Sequence, residues 1–144
     1  MTQLRILCAA LLLSVVMINV TLLVLSGTGG LPEPSLQPPV PYVLFAVALV
    51  LLVSSPAVKG AVFKRADAEG FGGDPLKRLA AYQTATIVAN ALREAAGIIG
   101  FVLALLSGNL WWSWGLGAAA VIAMLVDWPK AEQVGIGIQA PGPK

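Results

Sequence analysis

The sequence predicts an all-α fold: an integral membrane four-helix bundle made of two helical hairpins, with both termini cytoplasmic. Three observations predict it. The chain of 144 residues is 58% hydrophobic and only 11% charged, against about 45–50% apolar and about 25% charged residues in soluble domains, and its mean hydropathy is +0.85. Its apolar residues gather into four stretches of roughly span length, about 17–25 residues. Apart from Arg93, its basic residues lie near the ends of spans on one side, the pattern that orients spans with the positive side toward the cytoplasm.

The first span is expected near residues 6–25. Arg5 precedes it, and the apolar run exceeds the roughly 7–15 residues of a secretory signal core, so a retained span is the better reading. Asn19 within it reads as an interhelical hydrogen-bonding group, worth about 0.6–2 kcal/mol in membrane hosts. Gly27 to Pro41, GTGGLPEPSLQPPVP, is too rich in glycine and proline for a helix and reads as an extended loop.

The second span is expected near 42–63, opening on Tyr42 and followed by Lys64 and Arg65. Pro56 lies inside it and should kink the helix, with Ser54 and Ser55 placed to cover freed carbonyls. The loop ADAEGFGGD, Ala66 to Asp74, ends in Asp74-Pro75, an N-cap followed by proline at the first helical position. The third helix is expected over 76–107. At about 1.5 Å per residue it reaches roughly 48 Å, longer than a ~30 Å hydrocarbon core, so its first turns should protrude into the cytoplasm.

Ser107-Gly108-Asn109 reads as a tight turn into the last span, near 110–128, with Trp111, Trp112 and Trp114 as an aromatic belt and Trp128 at the opposite interface. Residues 1–130 thus form one four-span domain, and 131–144 read as a flexible cytoplasmic tail. Lys59, Lys64, Arg65, Lys77 and Arg78 crowd the middle connection, while Gly27 to Pro41 and Ser107 to Asn109 carry no basic residue. The expected location is the bacterial cytoplasmic (inner) membrane, as a multi-pass protein.

Composition narrows the chemistry. The chain has no histidine and one cysteine, Cys8, so an internal disulfide and the usual His/Cys metal sets are excluded. No cofactor or metal is expected. The net charge of +2 is distributed by topology rather than as a groove, which argues against nucleic-acid binding. No nucleophile and base stand together, and serine or threonine in a span normally bonds to backbone or to a neighbouring helix, so no enzymatic role is expected.

The unusual residues lie in the third helix, AAYQTATIVANALREAAGIIGFVLALLSG from Ala80 to Gly108. Polar side chains are costly in hydrocarbon and need a partner or a task. At 100° per residue Gln83, Thr86, Asn90, Glu94 and Gly97 form one polar stripe about 80° wide. This stripe is expected to face the first two spans or another subunit. A separate row of small residues, Ala96, Gly100 and Ala104, matches Gly115, Ala119 and Ala123 across the tight turn and predicts a close hairpin contact.

Counting from the turn places Glu94 roughly 6–9 Å inside the cytoplasmic edge. Lys59 and Asp127 fall at similar depth. A neutral cluster of Lys59, Asn90, Arg93, Glu94 and Asp127 is therefore expected, with Arg93 paired to Asp127 and Glu94 to Lys59. Its bland role is to lock the cytoplasmic ends of the helices. A sharper role is titration of Glu94, carrying a proton or binding a cation. A third is a docking face, and the expected partners are the lipid bilayer and a homo-oligomer or larger membrane complex.

The stretch Ala91 to Gly108, ALREAAGIIGFVLALLSG, resembles short uncharacterised four-helix bacterial membrane proteins that share an Ala-Leu-x-Glu motif, a Gly-Phe-Val-Leu run and a final span ending before a proline. The resemblance covers roughly the second half of the chain and implies a membrane location and a helical fold. The chain is also similar to the ring proteolipids of rotary ATP synthases, in which a membrane-embedded acid follows small residues in a helical hairpin. That similarity implies proton carriage by Glu94. The chain departs from the family in lacking its glycine-rich first helix, in placing the acid on the first rather than the second helix of the hairpin, and in setting Arg93 beside it.

Overall fold

A computed structural model describes residues 2–30, 37, 39–68 and 75–129. Four helices follow one another: α1 (Thr2–Gly27), α2 (Val40–Ala68), α3 (Pro75–Ser107) and α4 (Trp111–Val126), with no strand among the described residues. Each overlaps one expected span. Residues 31–36 and 38 of the Gly27 to Pro41 loop, residues 69–74 with the Asp74 cap, and the tail from 131 lie outside the described residues, while α2 takes in Val40 and Pro41 at its start and 66–68 at its end, residues expected in loops.

Local chemistry explains the helix ends and interruptions. α1 closes where Gly29 takes φ +70° and the amide of Gly30 reaches back to the carbonyl of Leu25 at 2.9 Å, a left-handed cap that glycine adopts without steric cost. α3 closes the same way at Gly108, φ +65°. Asn109 then turns its Oδ1 onto the amide of Trp111 at 3.0 Å and so caps the first turn of α4. α2 runs through Pro56. Proline cannot donate to the carbonyl four residues back, and here the Ser55 hydroxyl donates to that same Leu52 carbonyl at 2.9 Å.

α3 is the hub. It packs against all three other helices and α4 also touches all three, whereas α1 and α2 have no Cα atoms within 8 Å of one another. The expectation of two packed hairpins is therefore corrected: α3 and α4 form one, but the α1 and α2 backbones do not pack on each other and each docks on that hairpin. The long connection between them carries enough chain to permit this.

The hub position selects small side chains. Ala85, Ala89, Ala96, Gly97, Gly100 and Ala104 on α3 are buried, letting helix backbones approach closely. A Cβ on Gly100 would lie 2.8 Å from Leu116 Cβ and 3.1 Å from the Trp112 carbonyl oxygen. The α3 half of the predicted small-residue contact is thus present. The α4 half is shifted: Gly115 faces open space and Ala119 is exposed, while Trp112, Leu116 and Ala120 meet α3. The contact is knob into groove, a large α4 side chain against a small α3 one, rather than two small rows meeting.

The surface is as informative as the core. Val53 on α2 is 69% exposed and Val126 on α4 is 76% exposed, in company with Ile6, Leu13, Val50 and Ile122. Helices apolar on every face are stable only where their surroundings are apolar. Thr2–Gly27, Val40–Arg65 and Leu76–Ser107 are each long and apolar enough to cross a membrane, and α4, with 16 residues, is shorter. Three such helices mark a membrane protein.

Candidate functional site: an ionic clasp beside a cavity

Arg93 is the centre of the site. It projects from the middle of α3 and is 3% exposed. A guanidinium buried this deeply needs its N–H groups occupied. Its Nε donates to Ser55 Oγ at 3.0 Å, Nη1 to Asn90 Oδ1 at 2.9 Å and Nη2 to Asp127 Oδ2 at 3.0 Å. The other Asp127 oxygen accepts from Lys59 Nζ at 2.6 Å. One carboxylate at the end of α4 therefore holds a cation from α2 and another from α3, and Ser55 ties α2 to α3 a second time. Lys59 Nζ also lies 5.2 Å from the centre of the Tyr82 ring, a cation–π contact.

The network reaches α1 as well. Asn90 turns its oxygen to Arg93, leaving its amide nitrogen to donate to Cys8 Sγ at 3.2 Å. All four helices are joined through this chain of side chains. A second polar link stands further along: Ser113 donates to Asn19 Oδ1 at 2.9 Å, and Asn19 donates to the Val15 carbonyl at 2.8 Å. Gly117 makes room for that amide, since a Cβ there would lie 2.5 Å from Asn19 Nδ2.

The structure brings Lys59, Asn90, Arg93 and Asp127 together and leaves Glu94 out. The expected pair of Glu94 with Lys59 is replaced by the pair of Lys59 with Asp127. The reason is geometric: adjacent helical residues point about 100° apart, so when Arg93 faces α2 and α4, Glu94 cannot. Glu94 is half-buried and has no hydrogen bond or ion pair with a described residue. The polar stripe faces α1, where Asn90 meets Cys8 and Gly97 packs on Val15. Thr86 is buried with no partner for Oγ1 among the described residues, and Gln83 borders a small cleft with Gln3, Leu4 and Leu7 of α1.

Three contributors escaped the sequence reading. Cys8 looked like a small apolar residue, Tyr82 like part of the apolar helix, and Ser55 only like cover for Pro56. Trp128, expected at an interface, packs half-buried against the cluster of Leu4, Cys8 and Tyr82.

A cavity of about 560 Å³ opens beside the clasp, between α2, α3 and α4. Lys59, Arg93 and Asp127 form its polar side, and Leu52, Phe63 and Val126 are among its apolar walls. No group of three or more His, Cys, Asp or Glu residues that could hold a metal ion occurs among the described residues.

No protein family, characterised protein or solved structure matches the chain. The site must be interpreted from its own chemistry. Two cations share one carboxylate, every contact spans different helices or successive turns, and the acceptors around Arg93 fix its donors in direction. Such an arrangement can hold helices in register and present spare cationic N–H groups to an anion.

Proposed function

We propose that this is a four-span protein of the bacterial cytoplasmic membrane, with both termini cytoplasmic, serving a structural or accessory role within a membrane assembly. The observation that carries this reading is the clasp of Arg93, Asp127 and Lys59, which ties α2, α3 and α4 at a single level. In hydrocarbon such a clasp is more costly to open than in water, because each freed charge would lose its partner in a medium that cannot solvate it.

Support for the orientation comes from charge. Lys59, Lys64, Arg65, Lys77 and Arg78 all belong to the α2–α3 end of the bundle, and Arg5 lies in the first turn of α1, whereas the two other connections have no basic residue. α4, at 16 residues, reaches about 24 Å. Trp111 and Trp114, both exposed, suit the opposite headgroup region.

A second reading, proton or cation translocation by a proteolipid-like subunit, is favoured by one observation: the half-buried Glu94 carboxylate has no partner among the described residues. Reconstitution of the protein and of Glu94→Gln into vesicles separates the two. The structural role predicts no proton or cation flux in the parent protein and unchanged unfolding in the variant. Flux in the parent that disappears in Glu94→Gln at unchanged stability would overturn it. An assembly role further predicts co-purification with a larger complex after mild detergent extraction, and a clean monomer would count against it.

A further inference from the structure

Among the described residues the clasp is not neutral: Lys59, Arg93 and Asp127 sum to one excess positive charge, and Glu94, next to Arg93 in sequence, pairs with neither cation. An uncompensated charge among apolar side chains is costly, and an anion would complete the arrangement. Donors for one are available. A guanidinium offers five N–H groups and an ammonium three, and Arg93 uses three and Lys59 one in hydrogen bonds to described residues. Both line the same cavity.

The cavity walls indicate what carries the anion. Apart from the charged side it is lined by Leu52, Phe63, Ala85 and Ala123, and its border includes Pro56 and Val126, which are themselves exposed. A polar floor that opens over exposed apolar residues suits a charged head on an apolar tail better than a free ion. At about 560 Å³ the space falls within the roughly 300–1,000 Å³ of small-molecule sites. Beyond Phe63, Arg78 lies 5.8 Å from the ring centre, and its buried Nε has no hydrogen-bond partner among the described residues.

We propose that the cavity between α2, α3 and α4 binds the phosphodiester headgroup of an anionic phospholipid, held by Lys59 and Arg93. The proposal rests on the membrane reading above, which fails separately if alkaline washing releases the protein from membranes.

The experiment uses the full chain in a nonionic detergent, titrated with phosphatidylglycerol, with phosphatidylcholine of the same chains, or with inorganic phosphate, and reads lipid retention by native mass spectrometry and the shift in melting temperature. Three variants accompany it. Lys59→Gln neutralises the clasp while keeping the Arg93–Asp127 pair. Lys59→Arg keeps the charge. Gly60→Leu fills the cavity, since Gly60 lines it and a Cβ there meets nothing within 4 Å.

The expected result is at least a roughly fivefold preference for phosphatidylglycerol over phosphatidylcholine, the effect of about one basic residue on an anionic lipid. The preference is lost in Lys59→Gln and Gly60→Leu and kept in Lys59→Arg. Equal retention of both lipids overturns the proposal, as does a preference that survives in both Lys59→Gln and Gly60→Leu. Stabilisation by inorganic phosphate equal to that by phosphatidylglycerol overturns the lipid assignment in favour of a free oxyanion.

Discussion

Replacing Asp127 with asparagine should damage the protein far more than its size suggests. The side chain keeps its shape, but the single carboxylate that holds both Lys59 and Arg93 loses its charge. Removing one partner of a fully buried pair costs about 3–5 kcal/mol, and an exposed pair is worth about 1 kcal/mol or less. Here Arg93 is 4% exposed and Asp127 22%, so the pair falls toward the buried limit. The asparagine carbonyl still accepts one neutral hydrogen bond, which returns about 1 kcal/mol. The expected net loss is about 2–4 kcal/mol.

Lys59→Gln supplies the internal comparison. Lys59 is no more exposed than Asp127, but its removal leaves Asp127 paired with Arg93 and strands no charge, so only one hydrogen bond is lost, at about 1 kcal/mol. Equilibrium unfolding in mixed micelles, followed by tryptophan emission, measures both, with Trp128 next to the altered residue. A loss below about 1 kcal/mol for Asp127→Asn, or equal losses for the two variants, would show that Asp127 is not the common anchor and refute the reasoning.

Two further predictions concern packing. Gly100→Ala should destabilise by about 1–3 kcal/mol, the usual cost of overpacking, because its Cβ would press on Leu116 Cβ and on the Trp112 backbone, whereas Gly115→Ala, with nothing within 4 Å, should leave stability unchanged; the same unfolding measurement compares them. Cys8 is 2% exposed and should resist a maleimide in the folded protein while reacting promptly after unfolding. Rapid labelling under native conditions would contradict the α1–α3 contact.

Much of the fold could be read from periodic apolar runs and turn chemistry, because these are local. Gly108 and Asn109 terminate one helix and cap the next in the way their side chains dictate, and Pro56 finds its cover in Ser55. The pairing of Arg93 with Asp127 was also legible, since depth counting along two helices joined by a short turn leaves little freedom. Partner choice across a long connection was not. Lys59 could be placed at the right level, but depth alone does not say whether it faces Asp127 or Glu94; rotation of α2 about its axis decides that, and a helix apolar on all sides carries no signal for rotation. The same lack of facial signal hid the separation of α1 from α2 and the outward turn of Gly115 and Ala119. Cys8 and Tyr82 were invisible for a different reason: each is ordinary in an apolar helix until a neighbour supplies the amide or the ammonium it meets.

The docking of α1 and α2 on the α3–α4 hairpin bears on how the chain is put together as it is made. These two helices are synthesised first, and their backbones do not pack on each other. The side chains that receive α1, Asn90 for Cys8 and Ser113 for Asn19, follow their partners by 82 and 94 positions. At roughly 5–20 residues per second, a delay of 82 residues is about 4–16 s. For that interval α1 must persist with its polar groups bonded only within itself, as Asn19 does to the Val15 carbonyl. The polar contacts of α1 thus wait on the synthesis of α3 and α4 rather than of α2.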